Sequence, residues 1–365
     1  MRTMRIITIV CWVVTALVLA GLAAWFLTGT LFGIRINGRD SERRFTGINI
    51  GRLENFTGPF ELAGSYDVGT AGLDSINIEW AAGTITVKPH DGADVRVSEY
   101  AQRELRSDEK LTLDTSGSML TIRYRERGVT GSMPAKRLEV LIPRVLCGSL
   151  SSFSIDSASG GANISDMNAD VFKINTMSGN IDVTNLTALT VDLESSSGTK
   201  TLSSVNAVNI VLHSLSGNLR VTDSYAETFS CEASSGTINI SGGFERLTIK
   251  SMSGNVNVDN LAHGSILRVE STSGRQDLSG AFSEVEIKSM SGSVSIKSSI
   301  VPSSLTIESS SGGITIAVPD EGEVRVKHSA TSGRLTSDIP IVIVQGGAAQ
   351  FNITSMSGST RIIAY

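Results

Sequence analysis

Residues 247–258 read Leu-Thr-Ile-Lys-Ser-Met-Ser-Gly-Asn-Val-Asn-Val, and this stretch decides the fold. Apolar and polar residues alternate before the Ser-Gly pair that ends at Gly254, and they alternate again after it. A period of two is typical of a β-strand with one buried face. The stretch therefore predicts two short strands joined by a tight corner, where glycine permits backbone angles that other residues avoid.

The same pattern recurs from residue 153 to the C-terminus, with Ser-Gly pairs mostly 18 to 21 residues apart. A unit of this size cannot bury its apolar face alone, but stacked copies can. The repeat therefore predicts an all-β fold, a single-stranded parallel β-solenoid (β-helix) of ~19-residue coils. Eleven coils at about 4.8 Å each would form a rod of roughly 50 Å. The predicted corner glycines are Gly160, Gly179, Gly198, Gly217, Gly236, Gly254, Gly274, Gly292, Gly312, Gly333 and Gly358.

A charged column four residues before these glycines sets the coil length. If one coil contains 19 residues, the signs mostly alternate between neighbouring coils, whereas a 38-residue coil would place glutamate on glutamate. The alternation favours the shorter coil. The predicted outward charge ladder is Glu194, His213, Glu232, Lys250, Glu270, Lys288 and Glu308. Two residues further on, Met or Leu alternates with Ser or Thr, which indicates an ancestral two-coil unit.

The N-terminus carries an apolar stretch over residues 6–32, followed by four arginines between Arg35 and Arg44. The apolar stretch exceeds the roughly 20 residues that a membrane-spanning helix needs, and it is longer than the apolar region of a cleaved signal peptide. We predict one transmembrane helix in an anchor and basic flank, residues 1–44. The arginines after the span favour a cytoplasmic solenoid, whereas a large β-rich domain behind such an anchor is typical of export, and the second orientation is our expectation.

Two further regions follow the anchor. Residues 45–150 contain alternating segments, including Ile76 to Val87 around Gly83, and we predict an irregular N-terminal β region that caps the solenoid. Residues 151–365 form the regular β-solenoid with its eleven Ser-Gly repeats. The chain ends shortly after Gly358, so its last strand is either an exposed edge or paired with another segment.

The repeated Ser-x-Ser-Gly-x-Ile/Val-x-Ile/Val motif, the Ile76 to Val87 segment and the Leu138 to Pro143 strand resemble the putative adhesin family of bacterial envelope proteins. That family is related to the head domain of putative autotransporter adhesins. The resemblance covers roughly residues 45–365. It implies a bacterial, membrane-anchored, extracytoplasmic β-helical domain, and it implies no catalytic residues.

The residue pattern predicts no catalytic, cofactor-binding or metal-binding site. The formal net charge of −5 excludes a basic nucleic-acid surface. Three cysteines are too few for a disulfide framework, and the four histidines show no metal-ligand spacing. Eleven equivalent serines without a recurring histidine are typical of a structural ladder. The candidate residues are therefore the corner glycines and the charge ladder, without a cofactor.

The sequence leads us to expect a non-enzymatic scaffold in the cell envelope, single-pass in the cell membrane. Its partners would be the membrane, through the N-terminal helix, and an unidentified envelope protein or polysaccharide. Two alternatives stay open. One is a cytoplasmic, membrane-tethered β-helix that polymerises end to end, and the other is a β-helix enzyme that degrades polysaccharides.

Overall fold

Parallel strands related by one coil of the chain form most of the fold. The computed structural model describes residues 30–31, 34–35, 53–54, 58–126, 133–345 and 349–365. The chain divides into two units, Met1–Asn49 and Ile50–Tyr365. In the first unit, β1 (Thr30–Leu31) and β2 (Ile34–Arg35) pair antiparallel.

The solenoid strands begin after residue 149. They are β12 (Leu150–Ser159), β13 (Ala162–Ser178), β14 (Ile181–Ser197), β15 (Lys200–Ser216), β16 (Leu219–Ser235), β17 (Ile238–Ser253), β18 (Val256–Ser273), β19 (Gln276–Ser291), β20 (Val294–Ser298), β21 (Ser304–Ser311), β22 (Ile314–Val318), β23 (Val324–Ser332), β24 (Leu335–Ser337), β25 (Ile341–Ile343), β26 (Phe351–Ser357) and β27 (Thr360–Ala364). From β13 to β19, each strand follows almost a whole coil from one Ser-Gly corner to the next.

The register fixes the coil length. Ile174 pairs with Leu193, and Leu193 pairs with Leu212, one coil further along the chain. The prediction of a parallel solenoid with coils of about 19 residues is therefore confirmed. The columns seven and five residues before the corners are buried from Phe153 to Ile307, and the rings of Phe153 and Phe172 stack 5.3 Å apart. Each such side chain stabilises the fold by about 1.5–3 kcal/mol relative to an exposed one.

Small polar residues occupy the inner side of the Ser-Gly corner. Ser195 is buried and donates a hydrogen bond to the carbonyl oxygen of Ser197 at 2.7 Å, and Ser271 donates to that of Ser273 at 3.2 Å. These two serines satisfy their hydroxyls within the coil, whereas the hydroxyls of Ser157, Ser251 and Ser355 in the same column are buried without a hydrogen-bond partner among the described residues.

The N-terminal end of the sheet contains antiparallel strand pairs. The strands here are β3 (Leu53–Glu54), β4 (Glu61–Val68), β5 (Ser75–Ala82), β6 (Ile85–His90), β7 (Val95–Ala101), β8 (Thr112–Ser116), β9 (Met119–Arg123), β10 (Met133–Pro134) and β11 (Lys136–Pro143), with a 3-10 turn at Ser107–Glu109 and the short helix α1 (Arg144–Cys147). Strands β5 and β6 pair with the solenoid on one side and with β9 and β11 on the other. Antiparallel β8 and β7 then cover β9 and β11, so the first coil presents no open edge along these strands.

A buried ionic cluster lies beneath this antiparallel layer. Lys136 is fully buried, and its Nζ donates to Glu99 Oε2 at 3.1 Å and to the carbonyl oxygen of Glu109 at 2.8 Å. Arg103 and Arg106 contact the Glu109 carboxylate at 2.7 and 2.8 Å. The bond from Arg103 is the main cause that lowers the pKa of Glu109 to about 2. The cluster is internally paired, as buried charges require.

The order of coils changes at the C-terminal end. Strand β26 pairs with β21 on one side and with β23 on the other, and β27 lies between β22 and β24. The segment from β23 to β25 is therefore the outermost coil, although the chain ends later. The terminal strands are not an exposed edge, because residues 324–337 pair with them.

The described residues contain no helix long and apolar enough to cross a membrane. The predicted anchor at residues 6–32 lies outside the described residues except at β1.

Candidate interaction surfaces

The corner glycines form a continuous stack of backbone contacts. All eleven have positive φ, from +107° at Gly198 to +157° at Gly160. A Cβ placed on Gly254 would lie 2.0 Å from the carbonyl oxygen of Gly236, and one on Gly292 would lie equally close to that of Gly274. These glycines therefore build the corner and offer no side chain to a ligand.

The charge ladder lies on the outer side of the strand that precedes each corner. Its seven members are register partners in an unbroken series from Glu194 to Glu308. Glu232 lies between two basic side chains, with His213 Nδ1 and Lys250 Nζ each 3.6 Å from its carboxylate oxygens. The centre of the ladder therefore joins three neighbouring coils through Glu232, whereas Lys288 forms its ion pair with Glu286 of its own coil.

These contacts shift the titration of the pair at the centre of the ladder. The interaction with Glu232 raises the pKa of His213 above its ordinary value, against the opposing effect of partial burial. The same contact with His213 lowers the pKa of Glu232. Both groups are therefore held in their charged forms over a wider pH range than in an unfolded chain.

A stripe of apolar side chains runs beside the charge ladder, two residues nearer the corner. Its exposed members are Met177, Leu215, Met290 and Met356, at 39% to 62% exposure, and Met252 is partly exposed. On the coils between them the same position holds Ser196, Ser234, Thr272 and Ser310. The stripe thus repeats every two coils, about 9.6 Å.

A groove of about 370 Å³ lies along the part of each coil that directly follows a corner, and its surface is largely apolar, with Ile240 and Leu278 among the lining residues. It spans five coils, and two columns of outward side chains line it. The first column contains Arg220, Asn239, Asn257, Asp277 and Ser295, and the second contains Thr222, Ser241, Asp259, Ser279 and Lys297. The Asn257 amide donates to Asn239 Oδ1 at 2.7 Å, and Ser279 donates to Asp259 Oδ1 at 2.9 Å. The groove thus displays amide, hydroxyl, carboxylate and cationic groups side by side.

Sequence reasoning missed a reactive pair inside the solenoid. Lys200 takes the place of an apolar core residue, and its Nζ donates to Ser214 Oγ at 2.9 Å. Burial lowers the pKa of Lys200 to about 8, as activation of a serine by a lysine requires. Lys200 is fully buried and Ser214 is 5% exposed. A substrate in solvent therefore cannot reach the serine. The available signal was a lysine two residues after Gly198, where most coils have an aliphatic residue.

The other reactive groups of the described residues are dispersed. Cys147 and Cys231 are buried free thiols, and burial raises the pKa of Cys231 to about 12. No cluster of histidine, cysteine, aspartate or glutamate within the described ranges has the geometry to hold a metal ion. The candidate functional surfaces of the described residues are the charge ladder with its apolar stripe, and the groove.

This solenoid belongs to a known family. The sequence matches the Toastrack DUF4097 family twice, over residues 73–244 and 243–362, and the chain is a member of that family. This match confirms the family resemblance predicted from the repeated Ser-Gly motif.

Three solved structures align with most of the chain. A putative lipid binding protein from Parabacteroides distasonis has 16% sequence identity and a TM-score of 0.40, over 85% of this chain and 99% of that one. A putative adhesin from Bacteroides fragilis has 13% identity and a TM-score of 0.37, over 86% and 100%. A putative adhesin from Parabacteroides distasonis has 14% identity and a TM-score of 0.38, over 85% and 99%. No curated protein sequence matches the chain significantly.

Proposed function

We propose that the chain is a non-enzymatic, membrane-anchored scaffold of the cell envelope whose solenoid lies outside the cytoplasm and binds a polysaccharide. The observation that carries the proposal is the groove, in which outward polar side chains from five successive coils stand in two columns. A groove that continues over five coils suits an extended ligand better than it suits one small molecule.

The chemistry of the groove favours a hydroxyl-rich chain. Amides both donate and accept hydrogen bonds, carboxylates accept them, and Arg220 and Lys297 donate them. The groove therefore supplies both donors and acceptors along its length. Its two cations and two carboxylates carry no strong net charge, which favours a neutral or weakly charged polysaccharide over a strongly acidic one.

The burial of Lys200 and Ser214 supports a role without catalysis. This pair has the contact that an activated nucleophile needs, but its hydroxyl lies in the core. The ladder and the groove carry acids and bases, and several of these are paired with one another, as Glu232 is with Lys250.

Binding is tested with soluble polysaccharides and a matched pair of variants. The full chain, purified in detergent, is run through gels that contain dextran, alginate, hyaluronate or solubilised cell-wall glycan. We expect at least one neutral or weakly charged polysaccharide to retard the chain. Retardation should be lost in Asn239→Ala/Asn257→Ala and kept in Asn163→Ala, which alters the same column outside the groove.

The same samples test catalysis. Release of reducing ends with turnover would identify an enzyme, and a gel series without any retardation would exclude polysaccharide binding.

Location is tested by protease treatment of intact cells that carry a tag after Tyr365. Loss of the tag is expected for an extracytoplasmic solenoid, while a cytoplasmic marker stays intact. Digestion only after lysis would place the solenoid inside and would favour the polymerising cytoplasmic scaffold.

A further inference from the structure

Two alternations run in phase along one face of the solenoid. We call this face the ladder face, and it consists of the charge ladder and the apolar stripe beside it. Leu215, Met252 and Met290 share their coils with His213, Lys250 and Lys288 of the ladder, whereas the coils of Met177 and Met356 have Asn175 and Thr354 at that position. Coils with Ser or Thr in the stripe carry glutamate. From Glu194 to Glu308, each coil is thus either cationic with a long, protruding stripe residue or anionic with a short, recessed one, and the two types alternate.

Contacts between opposite charges within one rod account for the alternation in the ladder, but not for the alternation in the apolar stripe. His213, Glu232 and Lys250 are already near one another in the chain. The methionines have no such use, because Met177, Met290 and Met356 stay 39% to 62% exposed. Exposed apolar side chains in a regular series are typical of an interaction surface.

We propose that the ladder face binds the ladder face of a second copy of the chain, with the two rods antiparallel. A two-fold axis that crosses the face between the coils of Gly254 and Gly274 places every cationic, protruding coil opposite an anionic, recessed one. The arrangement is isologous and closes at two copies. It is independent of polysaccharide binding, since the groove lies on the part of each coil that follows a corner, whereas the ladder face lies on the part that precedes the next corner.

Pairing across this axis is favourable in both columns. Lys250 faces Glu270 of the second copy, and Glu232 faces Lys288 of the second copy. In the stripe, Met252 faces Thr272, and Met290 faces Ser234. Further out, the same symmetry places His213 opposite Glu308, Leu215 opposite Ser310 and Met356 opposite Ser196.

The alternative registers are unfavourable. A two-fold axis parallel to the rods would place each coil against its own copy, with glutamate opposite glutamate. An antiparallel pair shifted by one coil has the same defect. The alternation therefore selects both the direction and the register of the second rod.

The contact is large enough for a weak, specific dimer. Eight coils at about 4.8 Å and a strand segment about five residues wide give roughly 600 Å² per copy. The total of about 1,200 Å² is at the lower end of stable specific interfaces.

Charge exchange provides the decisive test. The full chain in detergent is studied by sedimentation over a range of concentrations, and we expect a monomer–dimer equilibrium. Glu232→Lys and Lys288→Glu should each raise the dissociation constant at least about tenfold, because each alters two symmetry-related pairs. The double variant should return to within about threefold of the unmodified chain.

The same variants separate dimerisation from stability of the single rod. Within one chain the two positions are three coils apart, so their effects on thermal unfolding should add. Rescue of association without rescue of stability is the expected signature. A chain that stays monomeric at every concentration, or a double variant that associates no better than the single ones, would overturn the proposal.

Disulfide trapping tests the register. Ser234→Cys/Met290→Cys, in a chain with Cys11→Ser, should form a covalent dimer on oxidation. The two cysteines lie about 14 Å apart within one chain, beyond the reach of an internal disulfide. Ser234→Cys/Thr272→Cys is the matched control, because it places cysteines on two coils of the same type, which do not face each other in the proposed register. Equal trapping by both pairs would contradict the register.

Discussion

Gly358 stacks directly on Gly312, although Gly333 lies between them in the sequence. A Cβ on Gly358 would lie 2.0 Å from the carbonyl oxygen of Gly312, and a Cβ on Gly333 would lie equally close to that of Gly358. The coil at the end of the chain is therefore inserted between two coils that precede it. This insertion leaves residues 324–345 as the outermost coil.

Phe351 connects the inserted coil to both neighbours. It is fully buried and pairs with Leu305 on one side and with Val326 on the other. We predict that Phe351→Ala lowers the free energy of unfolding by about 3–5 kcal/mol. It should also accelerate amide hydrogen exchange in residues 324–332. Phe153→Ala, which removes an equally buried ring near the other end, should cost a similar amount without this local effect, and equal exchange in both variants would contradict the role of Phe351.

The sequence predicted the coil length but not the order of the coils. The alternation from Glu194 to Lys288 depends on contact between neighbouring coils, so it reported a local spacing that the structure confirms. The insertion of the last coil brings together segments that are distant in the chain. Because the apolar columns of all coils are nearly equivalent, they do not indicate which coils are neighbours. One signal was present. Ser310 and Thr331 are consecutive in the stripe, which breaks the alternation in the sequence, and the insertion of Met356 between them restores it in space.

The interior pair Lys200 and Ser214 was missed for a different reason. A column of the repeat is identified by the residue type that most of its members share. The column two residues after the corner is mostly aliphatic, and the single Lys200 does not change that assignment. A lysine reaches its hydrogen-bond partner through a long side chain, so the spacing of Lys200 and Ser214 in the sequence does not indicate their contact.

The corner glycines differ sharply from other glycines in their tolerance of a side chain. Gly254 has φ of +130°, and a Cβ there would lie 2.0 Å from a backbone oxygen. Gly254→Ala should therefore lower the free energy of unfolding by at least about 3 kcal/mol, measured by urea denaturation. Gly313→Ala is the matched control, because no atom lies within 4 Å of a Cβ built there. Similar free energies of unfolding for the two variants would show that the corner tolerates a side chain.

The buried Lys200 destabilises the solenoid at neutral pH. Burial lowers its pKa to about 8, below the ordinary value of 10.5, so folding disfavours the charged form. The penalty is fully present below about pH 8 and disappears as the pH rises to about 10.5, and its size is of the order of 3 kcal/mol. Lys200→Met should therefore be more stable than the unmodified chain in urea at pH 7, and the gain should shrink at pH 10. The exposed Lys110→Met should show no such gain, and a gain independent of pH would contradict the assignment.

The contact between His213 and Glu232 makes a contribution to stability that is greatest at mildly acidic pH. The raised pKa of His213 gives stability that is full below its ordinary value of 6.5 and is lost as the pH rises through the raised value. The lowered pKa of Glu232 gives stability that is full above its ordinary value of 4.5 and is lost as the pH falls through the lowered value. Both contributions are complete only between those two values.

Because both side chains are partly exposed, His213→Gln should lower the free energy of unfolding by only about 0.2–1 kcal/mol near pH 5.5, and by less near pH 8.5. Urea denaturation at the two pH values checks this against His263→Gln, an exposed histidine outside the ladder; an equal cost at both pH values would mean that His213 stabilises the coil through packing and not through its charge.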